Sequence, residues 1–243
     1  MGTMPFPPEV QQRRDSERYG SVAAILAARL IGYQRNRIAL FAWMDRGWLP
    51  DSLRKLADDV AAAGESTSRL AHAWLATAGC PPPALDMFRD DEARLAALPI
   101  EDALSAMCLR ALHFRRAELR YWIDRDSRAQ VAAWLGERGF AALRWLNEAG
   151  NPPAIDRLMR DHGMAPLDEL DMSSLAWEGF CLFDHAGLCE PPSPLGLLRF
   201  AWHRDARPPA WLAACDAARQ RDDGMAVIAH LPDFYQEHTW SSG

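Results

Sequence analysis

The chain has 243 residues, of which 49% are hydrophobic and 25% are charged, and its formal net charge is −6. These values are typical of a globular protein and exclude wholesale disorder, a collagen-like chain and a coiled-coil rod. The acidic balance disfavours a nucleic-acid-binding module, because such modules gain most of their affinity from a basic face that neutralises phosphates.

Neither membrane insertion nor secretion is indicated by the sequence. No apolar run approaches the roughly eighteen residues that a membrane-spanning helix needs. The first twenty residues, MGTMPFPPEVQQRRDSERYG, lack the apolar segment of a secretory signal. The five cysteines are odd in number and include no Cys-x-x-Cys pair, so we expect reduced, packed thiols. Together these features predict a cytoplasmic protein.

Helical periodicity extends over nearly the whole chain. In chain order we predict helices over residues 15–44, 51–63, 66–78, 85–98, 99–123, 127–137, 139–148, 154–162, 173–188, 194–202 and 208–221. The nearest approach to β-alternation is 225–228, which is only four residues long. The sequence therefore predicts an all-α fold, an irregular multi-helix bundle.

A pair of prolines after Asn151 is the best candidate for a boundary within the chain. We expect four parts, which are a flexible N-terminus, a main helical bundle, a smaller C-terminal helical part packed on it, and a tail. Their predicted ranges are 1–14, 15–150, 151–233 and 234–243.

Common enzymatic motifs are absent from the sequence. A P-loop needs Gly-Lys-Ser/Thr, whereas the only lysine, Lys55, is followed by Leu56. Residues 52–55 match the S-x-x-K pattern of penicillin-recognising enzymes, but the K-T-G element of those enzymes needs a second lysine. Ser52 is better explained as a helix cap. G-x-G-x-x-G, H-E-x-x-H and G-x-S-x-G do not occur.

The best candidate for a metal site is the set Cys181, His185 and Cys189, whose spacing of four places them on one helical face. A structural zinc site needs a fourth ligand, and packed core side chains explain the pattern better. His162 and His185 each follow an aspartate, but neighbours in sequence do not make a catalytic arrangement. We therefore predict no metal, no cofactor and no catalytic residue.

The predicted helix over 99–123 carries large side chains on two opposite sides. One side is an ordinary core face, and the other carries Arg110, Phe114 and Tyr121. Either this helix is central and buried on both sides, or the second stripe contacts a partner, since aromatic and arginine side chains are typical interface anchors. Arg115 lies in the core arc and needs a carboxylate or the edge of the bundle, because an unpaired buried charge is costly.

For the binding surface, we adopt the hypothesis that the second stripe of the helix over 99–123 contacts a partner. The aromatic residues of the predicted tail form a second candidate contact, because no predicted helix follows them. The predicted partner-binding residues are Arg110, Phe114, Tyr121, Phe234, Tyr235 and Trp240.

Three parts of the chain, at 33–50, at 109–120 and at 177–182 with 194–201, together resemble one family, the SctK-type accessory proteins of bacterial type III secretion systems, in their Hrp branch. Residues 33–50, YQRNRIALFAWMDRGWLP, are similar to a helix and tryptophan-leucine-proline turn of that family. Residues 109–120, LRALHFRRAELR, are similar to its arginine-rich central helix. Residues 177–182 and 194–201, WEGFCL and PLGLLRFA, resemble its C-terminal helical pair.

The resemblance implies a cytosolic adaptor without an active site or cofactor. Such an adaptor joins the ring-forming SctQ-type platform subunit to the cytosolic domain of the SctD-type inner-membrane ring protein. It reaches the membrane only through protein partners and binds no nucleic acid. Two alternatives from other classes stay open. One is a helical enzyme that uses His185 or His162 with a neighbouring acid, and the other is a regulator that binds nucleic acid through the helix pair at 127–148.

Overall fold

In a computed structural model, the described residues are 8–63, 66–122, 124–136, 139–150 and 153–235, with side chains from Val22 onward. The chain is 73% helical and its described residues contain no strand, which confirms the all-α prediction. The α-helices are α1 (Pro8–Ile38), α2 (Leu40–Trp43), α3 (Asp51–Ala62), α4 (Ser68–Thr77), α5 (Glu92–Ala97), α6 (Ile100–Phe114), α7 (Arg116–Leu119), α8 (Arg125–Trp134), α9 (Gly139–Glu148), α10 (Ile155–His162), α11 (Met172–His185) and α12 (Ala217–Phe234). The 3-10 helices are η1 (Arg46–Trp48), η2 (Leu85–Phe88), η3 (Leu167–Glu169), η4 (Pro194–Ala201) and η5 (Ala210–Ala214).

Helix α6 is the centre of the fold. Its residues from Ser105 to Phe114 are all buried, and its most extensive contact is with α11. The two helices approach closely at Gly179, where any Cβ would collide with the carbonyl oxygen of Met107. Around this pair lie α5, α9 and α12, so α6 has no free side.

Helix α1 is fastened to the segment before α5 by polar side chains. The guanidinium of Arg29 donates to the carbonyl oxygens of Phe88, Arg89 and Asp90 at 3.0–3.1 Å. The side-chain amide of Asn36 donates to two further carbonyls near the end of α5. These bonds explain why residues 85–98, predicted as one helix, divide into η2 and α5, since the carbonyls at the break are satisfied by Arg29.

The predicted helix over 99–123 is also divided, and this prediction is wrong in its continuity. Helix α6 ends at Phe114, Arg115 adopts a turn, and α7 is a separate short helix. The guanidinium of Arg116 donates to the carbonyl oxygen of His113 at 2.5 Å, which satisfies one of the terminal groups of α6. Residues after the break therefore do not continue the faces of α6.

Both ends of the described chain are more helical than predicted. Helix α1 begins at Pro8, within the stretch 1–14 that was expected to be flexible, because proline is favoured in the first turn and helix-forming residues follow it. At the other end, α12 is capped by Asp216, whose carboxylate accepts a 3.0 Å hydrogen bond from the N–H of Arg219. The possible strand at 225–228 lies inside α12, where Val227 and Ile228 are buried.

Most buried apolar side chains form one continuous cluster around α6 and α11. A smaller cluster, which includes Phe114, Leu182 and Trp211, lies under α10 and η5. The predicted division of the chain near residue 151 stays a prediction. Within the described ranges, none of the helices combines the length and the apolar character that crossing a bilayer requires.

Candidate functional site

Arg110 and Phe114, two of the predicted partner-binding residues, are buried. The guanidinium of Arg110 is fully buried and donates to the side-chain and backbone oxygens of Gln220 at 2.6 and 3.1 Å. Burial lowers the pKa of Arg110 to about 10, although the charge of Asp223 acts in the opposite direction. Phe114 stacks on Trp211 with the ring centroids 5.2 Å apart. The prediction that Arg110 and Phe114 face outward is wrong, because α6 is covered by other helices on every side.

The remaining predicted residues have different outcomes. Tyr121 lies beyond the break at Arg115 and is 84% exposed. Phe234 belongs to the end of α12 and packs against Trp145, and the Tyr235 hydroxyl donates to the carbonyl oxygen of Leu135 at 3.4 Å. Both aromatic side chains are buried against the chain's own helices, so they do not form the predicted second contact surface. Trp240 lies outside the described residues.

An open groove is formed by α7, α8, α9 and the residue after Tyr121. We call it the α7–α9 groove, and its cavity volume is about 310 Å³. Its apolar lining is Leu119, Trp122, Val131, Phe140 and Leu143. Its polar lining is Arg128, Arg144, Asn147 and Glu148. Phe140 is 70% exposed, and Tyr121 directly precedes the groove residue Trp122.

The close packing of α8 on α9 is set by local sequence. A Cβ on Gly139 would collide with the carbonyl oxygen of Ala132, so only glycine permits this approach. Helix α8 starts at the cap Asp124, whose carboxylate accepts a 2.8 Å hydrogen bond from the N–H of Ser127. The hydrogen bonds from Ser127 hold the pKa of Asp124 below its usual value. Phe140, in the first turn of α9, is left with most of its surface in solvent.

A buried network of charges positions α7. Arg115 donates from Nε and Nη2 to the two carboxylate oxygens of Glu178, both at 2.7 Å, and from Nη1 to Glu118 at 2.8 Å. The second oxygen of Glu118 accepts from the N–H of Leu167. Burial alone would lower the pKa of Arg115, but the bonds and charge of Glu178 raise it above its ordinary value. Burial raises the pKa of Glu118, and the nearby Arg115 reduces that shift.

The end of α9 is tied to the start of α7 by Arg116. Its guanidinium donates from Nε and Nη2 to the carbonyl oxygen of Gly150, at 3.0 and 2.7 Å. Two walls of the α7–α9 groove are therefore joined by one side chain. Together with the Arg115 network, this bond gives the groove a fixed shape, which reduces the ordering cost of binding.

The arginines on the rim of the groove are accessible. Arg128 and Arg144 line it, and Arg120 and Arg125 are exposed on the neighbouring turns. Among the described residues, none of these four forms an ion pair with a carboxylate. The Nε of Arg128 donates to the carbonyl oxygen of Trp122 at 3.4 Å.

The possible metal ligands are spread over several environments. Helix α11 ends at His185, and its Nε2 donates to the carbonyl oxygen of Cys215 at 3.0 Å. Burial raises the pKa of Cys181 and of Cys189, which keeps both thiols protonated. Within the described ranges, no three His, Cys, Asp or Glu side chains come together as a metal site would require. His162 is exposed at the end of α10.

Sequence reasoning did not identify the groove residue Phe140. Leu143, Arg144 and Asn147 lie three, four and seven positions after Phe140, so all four share one face of α9. That spacing is a usable signal for an exposed face. The sequence analysis considered these residues only as part of the possible nucleic-acid-binding helix pair at 127–148, and the structure shows that they line the α7–α9 groove.

Fold and site define an all-α helical body with an open surface of aromatic and arginine side chains. The family model described as bacterial type III secretion protein (HrpB4) matches residues 21–237. The chain belongs to this family, consistent with the resemblance to SctK-type proteins of the Hrp branch, and is thus a type III secretion protein. Comparison with curated proteins and with solved structures gives no match.

Proposed function

We propose that this chain is a non-enzymatic adaptor of the bacterial type III secretion apparatus. In this role it joins the SctQ-type platform subunit to the cytosolic domain of the SctD-type ring protein. It acts in the cytoplasm and reaches the inner membrane through these partners. The family membership supports the role in secretion, and the resemblance to SctK-type proteins supports the choice of partners.

The observation that carries the adaptor role is the α7–α9 groove. Phe140 and Tyr121 expose most of their surface, whereas the other aromatic side chains that the structure describes are buried or half-buried. Exposed aromatic residues next to arginines are the usual anchors of protein interfaces. The groove is also held in shape by buried charges, as a docking surface should be.

The test measures binding of the purified chain to a purified SctQ-type subunit and to a purified SctD-type cytosolic domain from the same bacterium. An adaptor binds each of them and forms a ternary complex, seen as one species by size-exclusion chromatography with light scattering. Replacing Tyr121 and Phe140 by alanine should weaken at least one of the two contacts by about thirtyfold, since interface aromatics typically contribute about 2 kcal/mol or more.

The matched control is Leu85→Ala with Ile38→Ala, because both side chains are exposed and neither lines the groove. The control variant should bind both partners normally, and both variants should melt at the temperature of the wild type. A chain that binds neither partner contradicts the adaptor role. Normal binding by the Tyr121→Ala, Phe140→Ala variant would show that the partners contact another surface.

A further inference from the structure

We infer that the α7–α9 groove binds an acidic segment of a protein partner, which inserts one large apolar side chain between α8 and α9 and places carboxylates against Arg128 and Arg144. This inference deepens the proposed function and rests on it, because the groove is taken as the partner surface. The size, the lining and the charge of the groove each contribute to the argument.

The size of the groove limits what enters it. Its volume of about 310 Å³ lies at the lower end of the roughly 300–1,000 Å³ range of small-molecule sites. That space suits one or two side chains rather than a whole helix. Trp122, Val131 and Leu143 line it with apolar surface, so the entering group is aromatic or aliphatic.

The charge of the lining selects for carboxylates. The lining contains two arginines, Arg128 and Arg144, and one carboxylate, Glu148. Its net charge is therefore +1, whereas the whole chain has a net charge of −6. Among the described residues, neither arginine forms an ion pair with a carboxylate. A guanidinium binds a carboxylate through paired, charge-assisted hydrogen bonds, so two exposed arginines on an apolar rim favour an acidic peptide.

Other occupants fit less well. A nucleic acid would meet an apolar floor and the negative charge of Glu148, and the lining offers two cations, Arg128 and Arg144, for its phosphates. The acidic protein segment satisfies both the apolar floor and the arginine rim.

The first experiment reverses the charge of the rim. The full-length variant Arg128→Glu, Arg144→Glu should bind the purified partner that occupies the groove at least tenfold more weakly at low salt. The difference should shrink as salt rises, because exposed charges are screened. The matched control is Arg69→Glu, Arg89→Glu, two exposed arginines outside the groove, which should bind like the wild type.

The second experiment identifies the segment. A photo-crosslinking amino acid at position 147, in the groove lining, is activated in the complex with each purified partner. The crosslinked peptide should contain several Asp or Glu residues near one large apolar residue. Changing those acids to lysine should restore binding to the Arg128→Glu, Arg144→Glu variant. Crosslinks to a neutral or basic segment, to a second copy of this chain or to its own residues overturn the inference.

The two proposals fail in different ways. If both partners bind but the charge-reversed variant binds equally well, the acidic-segment inference fails and the adaptor role stands. If neither partner binds the wild type, the adaptor role fails. The groove is then tested with a synthetic helical peptide that carries one tryptophan and four glutamates. Two control peptides are compared with it, one with the glutamates replaced by glutamine and one with the tryptophan replaced by alanine. Equal binding of the three peptides, or none, overturns the inference.

Discussion

Arg115 and Glu178 form a bidentate ion pair inside the protein, with both nitrogen–oxygen distances at 2.7 Å and neither side chain more than 8% exposed. The pair joins the end of α6 to the middle of α11. Arg115 also reaches Glu118 and the carbonyl oxygen of Ala165, so its charge is satisfied from three sides. The sequence predicted that Arg115 needs such a partner, and this prediction is confirmed.

Breaking this pair should destabilise the protein strongly. Replacing Glu178 by leucine leaves the buried guanidinium of Arg115 without its main counter-charge, at an expected cost of about 3–5 kcal/mol of unfolding free energy. The double variant Arg115→Leu, Glu178→Leu should lose less than the sum of the two single losses, because no unpaired charge remains between these positions. Urea denaturation followed by circular dichroism measures each value.

The exposed pair formed by Arg46 and Asp58 supplies the control, with its closest nitrogen–oxygen distance at 3.3 Å. Asp58→Ala should change the unfolding free energy by less than about 1 kcal/mol, since surface ion pairs contribute little. A Glu178→Leu variant as stable as Asp58→Ala would show that the buried pair does not carry the contact between α6 and α11.

Much of the fold follows from local sequence. Helical periodicity predicts the all-α class, and α9 has the predicted bounds of 139–148 because Gly139 begins an amphipathic stretch. Helix α3 begins at Asp51, close to the predicted start, but the prediction that Ser52 caps it is wrong, because the cap position is Pro50 and no side chain bonds the first turn. These features depend on residues within one or two turns of each other.

The breaks in the helices depend on distant residues instead. Periodicity treats 99–123 as one helix, whereas the turn at Arg115 is stabilised by Glu178 and Ala165, which are 63 and 50 positions away in sequence. The same holds for Arg29, which satisfies the carbonyls between η2 and α5. The groove was missed for a related reason, because three separate helices must come together to form it.

The two aromatic residues once assigned to one stripe should respond in opposite ways to truncation. Phe114→Ala removes a buried ring stacked on Trp211 and should cost about 3–5 kcal/mol of stability. Tyr121→Ala removes an exposed ring and should change stability by less than about 0.5 kcal/mol. Thermal and urea unfolding of both variants make the comparison. Equal losses would contradict the break between α6 and α7.

The crossing of α6 and α11 should not tolerate a methyl group at Gly179. Gly179→Ala places a Cβ against the carbonyl oxygen of Met107. Because this oxygen belongs to the backbone, it cannot rotate away as the end of a side chain can. We expect a loss of about 1–3 kcal/mol from overpacking. Gly150→Ala is the matched control, because no heavy atom lies within 4 Å of its added Cβ. If the two variants are equally stable, the helices are not in close contact there.

His113 should make the protein less stable in mild acid. Its imidazole stacks on Trp145 at 5.1 Å, and burial, followed by the charges of Arg116, Arg110 and His230, lowers its pKa from 6.5 to about 3. Between these values the unfolded chain binds the proton and the folded chain does not. The unfolding free energy therefore falls as pH drops from 6.5 towards 3, by up to about 1.4 kcal/mol per pH unit for this one group.

A non-titrating ring isolates this effect. His113→Phe retains an aromatic face for Trp145, and the difference in unfolding free energy between variant and wild type should be constant above about pH 7.5 and move in favour of the variant below pH 6. His113→Gln should show the same change of slope with a different offset, because it too cannot take up the proton. The raised pKa of Glu118 affects all three proteins alike and cancels in the differences. Parallel stability curves from pH 8 to pH 4 would show that His113 takes up its proton in the folded protein as readily as in the unfolded chain.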